Sequence, residues 1–123
     1  MTTLDIARTP TSHLVETYAI AAAVHGEATE SGNYRVANRN ATIIEAIYRE
    51  LRARGETALR ELLPLLRDAR PGVRGFAGAH CLLFAPDQAS VVLEALASTP
   101  RSLVGLSAEM TLLEWKKGAL RFP

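Results

Sequence analysis

Cysteine is almost missing from this chain: Cys81 stands alone among 123 residues, so no internal disulfide can form and no C-x-x-C metal clip exists. A charge excess is missing as well. Fourteen Lys and Arg against 13 Asp and Glu leave a net charge of +1, far from the basic surplus that phosphate-backbone binders draw on for affinity. No apolar run is long enough to span a bilayer. β-Branched residues are sparse and nowhere alternate with polar ones, which argues against strands. The opening Met1-Thr2-Thr3-Leu4-Asp5-Ile6-Ala7-Arg8 lacks the basic and apolar regions of a secretory signal. These absences point to a cytoplasmic, reducing setting and a soluble protein without membrane contact. With 48% hydrophobic residues, the chain is large enough to bury one core without metals or disulfides.

What is present is helical periodicity. Thr2, Thr3, Thr9, Pro10 and Thr11 suit an irregular leader over residues 1–11, followed by a single helical-repeat domain over 12–123. Ser12 is expected to cap a first helix, in which Leu14, Tyr18, Ala21, Ala22 and Ala28 recur at helical spacing until Ser31-Gly32-Asn33 breaks it. A second helix runs from about Asn33 to Arg54, with Ala37, Ala41, Ile44, Ile47, Tyr48 and Leu51 inward and Gly55 as its stop. Helix three covers about Glu56–Arg67, with Leu59, Leu62, Leu63 and Leu66 inward and Pro64 unwinding or kinking it. Pro71 then starts a fourth helix and Pro86 a fifth, which ends at Ala97. The sixth is expected from about Leu106 to Lys117, burying Leu106, Met110, Leu113 and, as a further candidate, Trp115.

Two stretches echo each other at a spacing of thirty residues. Ala58-Leu59, Leu62-Leu63, Leu66, Asp68 and Val73-Arg74-Gly75-Phe76 are matched by Gln88-Ala89, Val92-Leu93, Leu96, Ser98 and Leu103-Val104-Gly105-Leu106. A helix pair of this kind cannot bury its apolar face alone and stacks on its neighbours, giving a shaped surface rather than a catalytic pocket. The expected fold is therefore all-α, a HEAT-like α-α superhelix of about six helices in three antiparallel hairpins.

Leu62-Leu63-Pro64-Leu65-Leu66-Arg67-Asp68 with Val73-Arg74 and Ala77 resembles HEAT-type repeats, in which the Asp and Arg brace the turn and the following repeat. In the second copy Ser98 replaces the Asp and Val104 the Arg, as at an end cap. The strings Ile47-Tyr48-Arg49-Glu50-Leu51, Ser107-Ala108-Glu109-Met110-Thr111-Leu112 and Glu114-Trp115-Lys116-Lys117-Gly118, with the Leu-rich stretch of helix three, are similar to a family of short bacterial proteins classed as a domain of unknown function. Some relatives of that family sit beside polymorphic toxin genes, and the resemblance implies an immunity-protein role.

The catalytic constellations are thin. His80 and Cys81 are adjacent, but neighbouring helical side chains point about 100° apart and no HExxH spacing accompanies them. They are expected to be a packed core thiol and a satisfied or partly exposed imidazole. Gly72, Gly75 and Gly78 lie along a helix rather than in a strand-to-helix turn, so they serve close packing and not phosphate binding. No cofactor, metal or catalytic residue is expected, and the chain is read as a non-enzyme. The candidate contact residues are Arg35 and Arg39 on the basic second helix, Arg70 and Arg74 at the inter-repeat turn, and Trp115 with Lys116 near the end of helix six. The expected partner is another protein, bound by a monomer or weak homodimer. Nucleic acid held by the Arg-bearing faces is the alternative.

Overall fold

Glycine and asparagine at positions 32 and 33 set the first reversal of the chain. Gly32 takes a left-handed φ of 78°, its N–H donating to the Thr29 carbonyl at 3.2 Å and that of Asn33 to the Ala28 carbonyl at 2.8 Å. This closes the helix in the manner of a Schellman turn. The Asn33 side chain then accepts the Val36 N–H at 3.3 Å and caps the next helix. The computed structural model of the protein describes residues 5–123. It contains α1 (Thr11–Ser31), α2 (Tyr34–Arg54), α3 (Glu56–Leu59), α4 (Pro71–Cys81), α5 (Pro86–Ala97) and α6 (Leu103–Lys116), with 3-10 helices at Ile6–Arg8 and Arg60–Arg67. Among the described residues there is no strand, and no helix is long and apolar enough to cross a membrane. Among the described residues the fold is all-α, with six α-helices.

The third helix unwinds as its proline dictates. After the single turn of α3, the chain continues as a 3-10 helix containing Pro64 and still buries Leu62 and Leu66. Pro64 lacks an N–H for the helical ladder, and its ring excludes a regular α-helical carbonyl four residues earlier. The turn that follows is braced from both sides. Asp68 accepts the Arg70 backbone N–H and its guanidinium, each at 2.9 Å, while Arg74 donates to the carbonyls of Asp68 at 2.7 Å and Ala69 at 2.9 Å.

Two boundaries differ from those expected. Helix α1 begins at Thr11, with Pro10 at the cap position and no side-chain cap, so Ser12 already lies inside the helix. Of the leader expected to be irregular, residues 1–4 lie outside the described residues; the rest holds the Ile6–Arg8 turn. Arg54 fastens that turn, donating to the carbonyls of Ile6 at 2.9 Å and Thr9 at 2.7 Å and to the Thr11 hydroxyl at 3.0 Å. Helix α6 starts at Leu103 rather than Leu106, because the Ser102 hydroxyl accepts the Gly105 N–H at 2.8 Å and supplies an earlier cap.

The core runs from Leu14 and Tyr18 through Ile44, Ile47 and Leu51 to Val73, Ala77 and Leu93. Helix α1 is the common partner within it: it packs against α2, α4, α6 and the second 3-10 helix. Small residues allow that closeness. A Cβ built on Gly26 of α1 would sit 2.8 Å from the Gly72 Cα of α4, and one built on Gly72 would collide with the Ala22 carbonyl oxygen. Gly78 is tight against Leu93, whereas a Cβ at Gly75 would lie 3.5 Å from the Val104 side chain, in ordinary contact.

Candidate functional site

The outer face of α6 departs most from the sequence expectation. Leu106, Met110 and Leu113, expected in the core, are 51%, 59% and 49% exposed, and Leu103 is 48% exposed. The buried line is instead Val104, Gly105, Ala108 and Leu112, with Trp115 partly buried against the core. Helix α6 carries two apolar faces, separated by Ser107, Thr111 and Glu114 on one side and by Glu109 and Lys116 on the other, so its pattern does not single out one inward face. Close approach decides the matter: a Cβ at Gly105 would stand 2.5 Å from the Leu96 carbonyl oxygen, so the face with the smallest residues turns inward. The bulkier set is left facing outward at positions 103, 106, 110 and 113. That 3-4-3 spacing is the one by which helices meet along an apolar seam.

One acidic side chain fixes the start of this helix against α1. The two carboxylate oxygens of Glu30 accept from the Ser102 hydroxyl at 3.0 Å and the Leu103 N–H at 2.6 Å. A carboxylate at the first turn complements the unpaired amides there and the positive end of the helix dipole.

The arginines singled out in the sequence divide by employment. Arg35 and Arg39 are exposed on α2. Arg70 is committed to Asp68, whose carboxyl is lowered to about 2, chiefly by the Arg70 guanidinium and backbone hydrogen bonds. Arg74 is spent on turn carbonyls. Lys116 is exposed, while Trp115 is half-buried. Two further arginines of α2 are also turned to internal use. Arg54 binds Glu50 at 2.9 Å as well as the leader, and Arg52 donates to the carbonyl oxygens of Phe122 at 3.0 Å and Pro123 at 2.8 Å. Arg70 and Arg74 therefore meet at one turn, both bonded to Asp68, whereas Arg35 and Arg39 lie on a different helix.

Behind α6 lies a cavity of about 240 Å³ between α1, α2, α4, α6 and the C-terminal residues. Sequence reading passed over it, because its parts come from five separate stretches of chain. His80 lies against it, only 4% exposed. Its ring stacks on Tyr48 with centroids 3.9 Å apart and meets Phe122 edge-on at 4.8 Å. Its Nδ1 is 2.7 Å from the hydroxyl of fully buried Tyr18. That contact fixes the tautomer. The Tyr18 O–H has His80 as its hydrogen-bond partner among the described residues, so it must donate to Nδ1, leaving the ring proton on Nε2. The opposite assignment would strand a buried hydroxyl proton at a cost of about 1–3 kcal/mol.

Burial holds His80 neutral, lowering it to about 3, with the Arg52 charge adding to the effect. Burial likewise pushes the Cys81 thiol up to about 12. A thiol so far from ionising is a poor nucleophile and metal ligand, and Tyr18 is also pushed up by burial, which keeps its proton in place. Among the described residues no group of three or more His, Cys, Asp or Glu is placed to hold a metal ion. His80 and Cys81 are both buried, the imidazole bonded to Tyr18 and the thiol within the core.

No protein-family model matches the chain, and no curated protein does. The chain is similar to the crystal structure of the protein RPA1889 from Rhodopseudomonas palustris CGA009, with a TM-score of 0.86 and 27% identity over 97% of this chain and 98% of that one. The likeness covers the fold from end to end.

Proposed function

We propose that this chain is a protein–protein interaction module whose docking face is the outer side of α6. The observation that supports it is the row Leu103, Leu106, Met110 and Leu113, about half exposed each at seam spacing on a helix otherwise anchored in the core. Scattered surface leucines need no explanation, but an aligned row on one helix supports reading that face as a contact surface. Covering the exposed halves of four such side chains is worth about 3–6 kcal/mol. Association costs about 4–15 kcal/mol, so the row needs support from its rim. Glu109 and Lys116 on one flank and Glu114 on the other supply it. The partner that fits is a protein presenting an apolar helix or groove.

Inhibition of a toxin domain by occlusion is the narrower form of this reading, and it rests on the family resemblance in the sequence. A cytoplasmic setting belongs to the same reading. Binding of nucleic acid is the weaker alternative, since Arg52, Arg54, Arg70 and Arg74 all carry internal bonds.

The test is a tagged pull-down from the native organism's lysate, with and without nuclease, using the wild-type protein and the double variant Leu106→Lys/Met110→Glu. Both replaced side chains are exposed, so the fold should survive. A stoichiometric protein retained by the wild type and lost by the double variant is the expected outcome. Equal retention by both proteins would refute the α6 face, and material retained only without nuclease would favour the alternative.

A further inference from the structure

We infer that the cavity beside His80 binds a small, uncharged, largely apolar molecule bearing one strong hydrogen-bond acceptor, a carbonyl compound that takes the Nε2–H of His80. Three observations carry this, and none depends on the α6 docking face.

The first is the donor itself. Tyr18 occupies Nδ1, Tyr48 covers one face of the ring and Phe122 stands edge-on to it. Nε2 has no hydrogen-bond partner among the described residues, yet no fully buried side-chain nitrogen or oxygen is left unpaired there. On a ring this enclosed, Nε2 must therefore keep contact with open space, and the space that His80 lines is the cavity. The Tyr18 hydrogen bond leaves it a donor only.

The second is shape. A sealed cavity of about 150 Å³ accommodates benzene, so a partly open pocket of about 240 Å³ has room for a molecule of roughly ten heavy atoms. Phe76, Val104 and Phe122 offer it apolar walls.

The third is charge. Glu45 and Arg49 both line the cavity one helical turn apart on α2, and no ion pair within 4.0 Å joins them among the described residues. One cation and one anion at the same edge select for neither charge. His25, also lining the cavity, is lowered by burial and adds no positive charge near neutral pH. A neutral acceptor satisfies the inner donor without leaving a charge against the largely apolar inner wall of the pocket. One such hydrogen bond, set against the same molecule without it, corresponds to roughly a fivefold difference in affinity.

The experiment titrates the intact protein, labelled with ¹⁵N, with three probes of similar size: acetophenone, ethylbenzene and benzoate. Acetophenone should bind saturably, shift the His80 imidazole Nε2–H and the backbone signals of Phe76 and Val104, and bind at least about fivefold more tightly than either other probe. Ser107→Trp, at an exposed cavity-lining position on α6, should abolish binding with an unchanged circular dichroism spectrum. Thr111→Met, one turn further along, serves the same purpose if that variant does not fold. Ethylbenzene binding as tightly as acetophenone would overturn the role of the donor, and benzoate binding most tightly would overturn the preference for a neutral ligand. Absence of shifts at the cavity with every probe, or binding that survives the blocking variants, would overturn the site.

Discussion

Mild acid should destabilise this protein well before its carboxylates are protonated, and the cause should be His80. Above pH 6.5, the ordinary value of the imidazole, the ring is neutral in both folded and unfolded chains and pH has no leverage through it. Below that, the unfolded chain takes up a proton that the folded chain refuses until its own value of about 3 is reached. Stability then falls by about 1.4 kcal/mol per pH unit. Between about pH 7.5 and about pH 4.5 the loss is about 3 kcal/mol, and it grows to about 5 kcal/mol near the folded-state value. His25, lowered in the same direction, adds to the slope. Asp68, lowered from 3.8 to about 2, contributes loss of the same sign only at lower pH, so the window above about pH 4.5 belongs to the histidines. Urea unfolding followed by far-ultraviolet circular dichroism reads this directly. With a denaturant slope of about 1–3 kcal/mol per molar for a chain of this size, the midpoint should drop by roughly 1–3 M across that range. The Tyr18→Phe/His80→Phe double variant, which removes both partners of the buried hydrogen bond, should lose most of the slope. A wild-type midpoint that stays flat down to about pH 4.5 would refute a neutral buried His80.

Four further outcomes are expected. Gly72→Ala should cost about 1–3 kcal/mol or more in urea unfolding, because the new methyl meets the backbone of α1. Gly75→Ala should be neutral or gain about 0.5–1 kcal/mol in helix propensity, so equal effects at the two glycines would contradict the described approach of α1 and α4. Tyr18→Phe alone should cost about 1–3 kcal/mol by leaving the buried Nδ1 unpaired; a neutral result would mean that water or a neighbour replaces the hydroxyl. Arg54→Ala removes the contacts to Glu50, Ile6, Thr9 and Thr11 and should cost about 1–3 kcal/mol while speeding tryptic cleavage at Arg8; unchanged cleavage would show that the leader is held by other means.

Much of the helical layout was legible from local chemistry. Asn33 and Gly55 bounded α2, Pro71 and Pro86 opened α4 and α5, and Pro64 unwound the third helix, each because its own backbone restriction acts whatever surrounds it. The facing of α6 was not legible. Both its Leu103–Leu113 row and its Val104–Leu112 row are apolar, and the choice between them falls to the backbone of Leu96, a neighbour in space. The Tyr18–His80–Tyr48–Phe122 cluster was hidden for a related reason. Its members come from α1, α4, α2 and the C-terminal residues, and only folding brings them together. The bonds that Arg52 and Arg54 make to backbone carbonyls near the two ends of the described chain carry no side-chain signature in the sequence, so only the fold reveals them.

Helix α1 touches α2, α4, α6 and the proline-bearing 3-10 helix, and this has a bearing on how the molecule comes apart. In a linear repeat array each unit leans only on its neighbours, so stability is nearly additive, ends can fray separately and shortened arrays still fold. Here the first long helix is shared property. Removing it would strip a wall from every later helix pair, and losing α6 would unclasp Glu30 at its far end. Unfolding should therefore be a single all-or-none event, with Trp115 fluorescence and backbone circular dichroism reporting one common transition, and no truncated half should hold a native core.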